Sequence, residues 1–493
     1  MSNQKASFLV VANRLPVDSV TDADGNRHWR RSPGGLVTAL HPVLQAEKGT
    51  WVGWAGNAGP APEAFDLEGV RLHPVSISQA EVQRYYEGFS NASLWPLYHD
   101  AVETRTFRRS WWAAYEEVNQ RFATIAAEEA AQNAVVWVQD YQLQLVPAML
   151  RQMRPDLRIG FFLHIPFPPV ELFMQMPQRV QILKGLLGAD LVGFQRPFAA
   201  QNFLRLTKHL LGLQPRGHYV AVDDDLADER LVRAESFPIS IDTATNESIA
   251  AEPEVIKRAE EIRNELGDPR TIILGVDRLD YTKGIELRLK AFRELLEDGE
   301  LSVPDTVMVQ VATPSRERVE HYMKLRNKVE LEVGRINGDF GQVGGPAVHY
   351  LHQSYDRREL TALYRAADIM AVTPMRDGMN LVAKEYVSSR LDNTGALLLS
   401  EFAGAAGELH QAYQVNPHDM AALKQGFLEA MHASDTDKIK RMRAMRRHVR
   451  KHDVQRWARR FLSALGVPEQ QALSRQCLGQ RAEGTFTTVN EPT

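Results

Sequence analysis

The stretch IGFFLHIPFPPVELFMQMPQRVQILKGLLGADLVGF, running from Ile159 to Phe194, decides the fold. It opens on one short apolar run, Ile159–Leu163, and closes on another, Leu191–Phe194. Near-continuous apolar character in runs this short predicts strands buried on both faces of a parallel sheet. Between them, Gln178–Leu187 carries Val180, Leu183 and Leu187 along one helical face. Strand, helix and strand in this order form the repeating unit of an α/β domain with right-handed crossovers.

The same pattern extends outward in both directions. Phe8–Ala12 and Ala134–Val138 read as strands before it; Thr271–Val276, Thr306–Val311, Val348–Leu351, Ile369–Val372 and Ala396–Leu399 read as strands after it. Around Phe237–Pro253 the apolar pattern gives way to Asp, Thr, Asn, Glu and Pro, which predicts a boundary between two α/β halves. The domain division is therefore 1–240, 241–452, a helix at 453–466 and a polar tail at 467–493. In that helix Asp453 is the N-cap candidate. Val454, Trp457, Ala458, Phe461, Leu462 and Leu465 make the apolar stripe, and Gly466 and Pro468 close it. Lys438–Lys451 reads as a surface helix with Ile439, Met442, Met445 and Val449 as its seam, and Asp223–Asp225 as a solvated turn.

Length and composition bound the function. A chain of 493 residues, 44% hydrophobic and 24% charged, is globular and long enough for two or three domains. A net charge of −4 argues against a protein that coats nucleic acid. Cys477 is the single cysteine, so an internal disulfide is impossible and a Cys zinc cluster is excluded. The run Phe8–Ala12 is too short for a signal segment, and no stretch approaches the roughly 18 apolar residues of a membrane span. The expected setting is cytoplasmic, with small-molecule partners, no nucleic acid and no membrane.

Ligands in open α/β sheets bind beyond the carboxyl ends of the strands, so the residues there are the place to look for chemistry. After the first strand come Asn13 and Arg14 and then, past a polar loop, Ser32-Pro-Gly-Gly35, where glycines at a helix start let backbone N–H groups approach an anion. Asp140 and Tyr141 follow the strand ending at Val138; His164 follows Leu163; Gln195 and Arg196 follow Phe194. In the second half the strand ends supply Arg278 and Lys283, then Thr313-Pro-Ser-Arg316, then Pro374-MRDGMNLVAK-Glu385, a glycine turn entering a helix. Cations, a few carboxylates and one histidine at successive strand ends suit a phosphorylated or diphosphate ligand together with a sugar.

Taken together, these segments resemble trehalose-6-phosphate synthase, the retaining glucosyltransferase family with the GT-B fold of two Rossmann-like domains facing each other across a cleft. The resemblance runs from Phe8 to Leu465. It rests on Asn13-Arg14, Gly34-Gly35, Tyr85-YEGFSNASL-Trp95, Asp140-Tyr141, Phe161-FLHIPF-Pro168, Arg278-LDYTK-Gly284 and Arg376-DGMNLVAKE-Tyr386. It implies transfer of glucose from a nucleoside diphosphate glucose (UDP-, GDP- or ADP-glucose) to glucose 6-phosphate, giving α,α-trehalose 6-phosphate. It makes 1–240 the acceptor domain and 241–452 the nucleotide-sugar domain, with 453–466 crossing back to the first.

Roles follow at matching positions. Arg14, Tyr86, Trp95 and Arg316 correspond to the glucose 6-phosphate pocket, Asp140 to an acceptor-sugar contact, with Trp54 nearby. Gly35 corresponds to the turn at the donor phosphates, and Arg278 and Lys283 to the pair on the diphosphate. His164 and Asp377 correspond to contacts of the transferred glucose, Asn380, Leu381 and Val382 to backbone contacts with the donor, and Glu385 to the nucleoside ribose. No metal-ligand set is visible and no cofactor is expected; a homo-oligomer is compatible with the sequence. Two other readings fit the pattern less well. One is a same-fold synthase with another acceptor, as in glucosylglycerol phosphate synthesis or pseudo-glycosyl transfer. The other is a non-catalytic sugar-phosphate sensor.

Overall fold

The computed structural model describes residues 5–21, 27–32, 35–101, 105–224, 227–316 and 319–467. The chain divides into two compact units, one made of the residues up to Pro238 together with those from Gln455 on, the other of Ile239–Val454. In the first unit the strands are β1 (Ala6–Arg14), β2 (Val17–Thr21), β3 (Arg27–Arg31), β4 (Thr50–Trp54), β5 (Phe65–Leu67) and β6 (Val70–Val75). They continue with β7 (Ala130–Gln139), β8 (Arg158–Phe162), β9 (Leu191–Phe194), β10 (Tyr219–Asp224) and β11 (Ala227–Ser236). Nine of them form a sheet in the order β10-β11-β9-β8-β7-β1-β4-β6-β5. Only the edge strands β10 and β5 run antiparallel to their neighbours.

The apolar runs explain the inner strands. Leu9, Val10 and Val11 of β1 and Phe161 and Phe162 of β8 are buried, as residues sandwiched between two helical layers must be. Strand order reverses at β1, which has β7 on one side and β4 on the other. At such a switch the carboxyl ends leave a crevice open to ligand.

The helix Val454–Ala464 completes this unit. Val454, Trp457, Ala458, Phe461, Leu462 and Leu465 are all buried. The Phe461 ring stacks on Trp137 with centroids 4.3 Å apart, and Trp457 Nε1 donates to Phe237 O at 3.1 Å. Gly160 of β8 and Gly193 of β9 make the room: a Cβ on either would stand 2.8 or 2.6 Å from the Phe461 ring. The helix ends at Gly466, φ 82°, with Gly466 N–H donating to Ser463 O and Val467 N–H to Leu462 O, the paired bonds of a left-handed C-terminal cap. Phe461→Ala empties a packed aromatic site and is expected to cost about 3–5 kcal/mol. Chemical denaturation followed by tryptophan fluorescence measures it, because Trp137 and Trp457 flank the cavity.

Two expectations are corrected here. The segment after Pro16 is not a bare polar loop: Val17–Thr21 and Arg27–Arg31 pair as an antiparallel hairpin, and Trp29 stacks on Phe65 at 5.3 Å. The acidic run is not wholly a turn either, since β10 extends through Asp223 to Asp224, which pairs with Ala227 of β11; Asp225 lies outside the described residues. In both cases a strand with one solvated face tolerates charge at alternate positions.

The second unit holds β12 (Thr271–Arg278), β13 (Thr306–Thr313), β14 (Val348–Leu351), β15 (Ile369–Val372), β16 (Ala396–Ser400) and β17 (Tyr413–Val415). They form one sheet in the order β14-β13-β12-β15-β16-β17, parallel throughout. Its strand order reverses between β12 and β15. Ile273, Phe292, Met308, Val329, Leu398 and Phe427 sit in one core cluster of this unit. The basic stretch lies in the helix Asp435–Lys451, whose buried seam is Met442, Met445 and Val449. Among the described residues no helix is long and apolar enough to cross a membrane.

Candidate active site

In the first unit the sequence-derived residues gather at the carboxyl ends of β4, β1, β7 and β8. Arg14 is the last residue of β1. Its guanidinium lies over the Trp54 ring at 5.2 Å, a cation–π contact worth about 0.5–1 kcal/mol where exposed, and 3.7 Å from Asp18. Gly56, with φ 98°, is what lets the guanidinium lie there, since a Cβ at this position would stand 2.3 Å from it. Trp51 Nε1 donates to Arg14 O at 3.0 Å, fixing the strand end.

Tyr86 meets Trp54 edge-on at 5.8 Å. It belongs to Val82–Leu94, a π-helical stretch whose wide turn is closed by Trp95 N–H donating to Ser90 O. Long π-helical runs are rare and concentrate at functional sites. Gly88 permits this one to press against Trp111, whose ring a Cβ would meet at 2.7 Å, and Tyr85 Oη ties it to β1 by donating to Asn13 Oδ1 at 2.7 Å. Trp95, just beyond, packs on Tyr141 at 5.7 Å. Gly35 opens the helix Gly35–Ala46, while Gly34 lies outside the described residues.

Asp140 follows β7 with φ 71° and ψ 172°, a region that is essentially glycine's and costs about 1–3 kcal/mol for another residue. Its Oδ1 accepts from the His164 N–H at 3.1 Å. The His164 ring lies 4.8 Å from Phe162 and 6.2 Å from Trp457, and desolvation there drives its pKa down to about 3. His164 is therefore neutral at physiological pH. The unfolded chain takes up a proton near 6.5 and the folded one only near 3, so stability present above 6.5 is lost as pH falls toward 3. Its slope reaches at most about 1.4 kcal/mol per pH unit. His164→Gln should flatten this acid limb in urea melts recorded across that window.

In the second unit Arg278 closes β12 and is exposed. A short turn, Tyr281–Lys283, then leads through Gly284, φ 68°, into the helix Ile285–Glu297. Lys283 Nζ lies 2.5 Å from Asp377 Oδ2, with both side chains nearly buried. Asp377 Oδ2 also accepts from Asn380 Nδ2 at 3.2 Å. Asn380, φ 73°, caps the helix Leu381–Ser389, its Oδ1 accepting from Ala383 N–H at 3.3 Å. Leu381 and Val382 form the first turn, whose N–H groups have no intrahelical acceptor and so favour an anion. Glu385, one turn on, is half-buried; desolvation pushes its carboxyl up, and Tyr364 Oη donates to it at 3.1 Å.

Arg316 sits in this unit too, at φ 50° beyond β13, with Nη1 donating to Asp280 Oδ2 at 3.2 Å and hydrogen-bonded to Tyr322 Oη. Burial opposes charge on Asp280, but Arg316, Arg278 and Lys283 hold its carboxyl well below the usual range. So Arg316 keeps company with Arg278 and Lys283, while Arg14, Tyr86 and Trp95 share the first unit.

Several supporting residues escape a reading of strand ends. Arg288, fully buried, binds Asp277 at 2.7 Å, Gln310 at 2.8 Å and Thr373 at 3.0 Å, and reaches Lys283 O at 3.4 Å from beneath the loop. Asp280 and Gln139 act inward, on other site residues, and only their places inside the quoted motifs hinted at them. Among the described residues no group of three or more His, Cys, Asp or Glu side chains is placed to hold a metal ion.

The model of glycosyltransferase family 20 matches residues 6–466. The chain is 56% identical over 475 residues to a trehalose-6-phosphate synthase of Mycolicibacterium gilvum, covering 94% of each chain. A solved structure from E. coli, described as trehalose-6-phosphate bound with UDP-2-fluoro glucose, is similar with TM-score 0.85 and 34% identity over 93% of this chain and 98% of that one. Another is an alpha,alpha-trehalose-phosphate synthase (UDP-forming) from Burkholderia xenovorans in complex with glucose-6-phosphate. It gives TM-score 0.84 and 31% identity over 93% of this chain and 99% of that one. With a match that runs through both units and both clusters of strand-end residues, the chain belongs to glycosyltransferase family 20.

Proposed function

We propose that this enzyme moves glucose, with retention, from a nucleoside diphosphate glucose to glucose 6-phosphate, releasing the nucleoside diphosphate and forming α,α-trehalose 6-phosphate. The observation that carries the reading is the presence of two strand-end clusters, each pairing cations with sugar-binding side chains. Arg14 on its aromatic wall of Trp54 and Tyr86 offers a planar fork to the acceptor phosphate, and Trp95 and Asp140 serve the hexose. Arg316 is assigned to the same phosphate. Lys283 and Arg278 meet the donor diphosphate, helped by Gly35 and by the first-turn N–H groups of Leu381 and Val382. Asp377 and His164 orient the transferred glucose, and Glu385 takes the ribose. The solved structures described as bound with UDP-2-fluoro glucose and in complex with glucose-6-phosphate support the two kinds of small-molecule substrate.

Charge grows on the leaving diphosphate as the glycosidic bond breaks, so Arg278 and Lys283 act mainly in the transition state. Double displacement needs a carboxylate nucleophile. The nearby carboxylates are engaged: Asp377 with Lys283, Glu385 with Tyr364, Asp140 with the His164 N–H. This supports same-face attack, in which a donor phosphate oxygen accepts the proton of the acceptor hydroxyl as the new bond forms. Isolation of a covalent glucosyl-enzyme would falsify that route.

The deciding experiment offers UDP-, GDP- and ADP-glucose in turn with glucose 6-phosphate, with and without EDTA, and reads product and anomer by NMR. Retained configuration and undiminished rate in EDTA are expected with at least one donor. Saturable binding of the sugar phosphate with no turnover on any of the three overturns the reading.

A further inference from the structure

The histidine that follows β8 is held by the last residue of β7 and by the residue after it. In a regular strand, side chains 139 and 140 point to opposite faces. The unusual backbone at Asp140 breaks that alternation, and both reach His164: Asp140 Oδ1 takes the backbone N–H at 3.1 Å and Gln139 Oε1 lies 3.0 Å from ring Nε2. Gln139 is 1% exposed. Among the described residues its carboxamide is the ring's one hydrogen-bond partner, and its own Nε2 is buried with none. A buried amide that leaves half its capacity unused calls for an explanation. Phe162 and Trp457 fill the space beside the ring and offer it no competing acceptor.

We propose that Gln139 is a positioning residue that fixes His164 as the Nε2–H tautomer, so that the neutral ring presents Nδ1 as a hydrogen-bond acceptor for a hydroxyl of the transferred sugar. The first half concerns this chain's own atoms; the second rests on the reading that His164 contacts that sugar. An imidazole's free nitrogen takes whichever role its partnered nitrogen leaves it, so a carbonyl oxygen on Nε2 makes Nδ1 an acceptor. A ring held in the wrong tautomer would turn a donor toward the hydroxyl hydrogen and lose that contact when the sugar carries partial charge.

The test uses full-length protein labelled with ¹⁵N in histidine. The His164 signals are assigned by their loss in His164→Gln, and the tautomer is read from long-range ¹H–¹⁵N correlations. Wild type is expected to show the Nε2–H pattern. Gln139→Leu should give mixed tautomers and a kcat lower by about 10–100-fold, the size of effect seen when a metal-binding histidine loses its orienting partner. Its KM for glucose 6-phosphate should stay unchanged. Gln139→Glu keeps an oxygen on Nε2 and should restore the pattern and most of kcat, with a new acid limb in the pH profile because a carboxylate favours the imidazolium.

An Nδ1–H pattern in wild type, or a pattern and kcat indifferent to Gln139→Leu, overturns the proposal. If Gln139→Leu fails to fold, the wild-type tautomer and Gln139→Glu decide. If the tautomer follows Gln139 but His164→Gln turns over normally, the tautomer control stands and the sugar contact assigned to His164 falls.

Discussion

Lys283→Met is expected to lose turnover and stability together: kcat falls by about 10²–10³, the usual effect of deleting one transition-state donor. The fold weakens by up to about 3–5 kcal/mol, because the Asp377 carboxylate, 2.5 Å from the ammonium with 13% of its side chain exposed, loses this countercharge and keeps its bond from Asn380. The two losses separate in Lys283→Met/Asp377→Leu, which removes both charges. That double variant should regain most of the stability in urea melts and none of the activity. A double variant as weak as the single one would show that the pair does not govern local stability. Recovered turnover would remove Lys283 from the transition state.

The second large effect concerns Arg14. Arg14→Ala should raise KM for glucose 6-phosphate about 10²-fold, since two charge-assisted hydrogen bonds to phosphate are lost at about 1.5–3 kcal/mol each, partly replaced by water. KM for the donor should barely move. Gly56→Ala reaches the same guanidinium without touching its charge: the new Cβ would stand 2.3 Å from it in the ground state, on a backbone with φ 98°. A rise in acceptor KM of about tenfold is expected, from strain and displacement together. Adding Gly56→Ala to Arg14→Ala should then change the acceptor KM no further, as two changes acting through one contact are not additive. Independent, multiplying effects on a steady-state assay would mean that Gly56 acts elsewhere.

What could be read in advance was the buried part of the architecture. Leu191–Phe194 and Ile369–Val372 are strands with the very limits their apolar runs suggest, because a strand covered on both faces has no polar position to blur it, and the half-buried edge strand Val348–Leu351 keeps its limits too. Phe8–Ala12 and Ala134–Val138 are the apolar centres of strands that run on through Arg14 and Gln139 into polar residues. Not read as strands, among others, were Thr50–Trp54, Val70–Val75, and the paired Tyr219–Asp224 and Ala227–Ser236. Of the last two, Tyr219–Asp224 is the edge strand of its sheet, where charge is tolerated and guards against unwanted pairing. Strand-end logic likewise found the side chains aimed outward. It could not find backbone states, and three of the site residues depend on one: Asp140, Arg316 and Asn380 all have positive φ. Nor could it find inward supports such as Arg288, whose residue type is ordinarily a surface charge.

The return of the last helix has a consequence for how the protein is made. A ribosome that has delivered Pro238 has released every strand of the first unit, yet Trp137, Gly160 and Gly193 still lack the Phe461 ring that fills the space over them. More than two hundred residues of the other unit must be synthesised before that ring exists. Through that interval the nascent chain carries an open aromatic seam, so the unit translated first is among the last to become whole, and such exposed apolar surface is what makes an incomplete domain prone to aggregate.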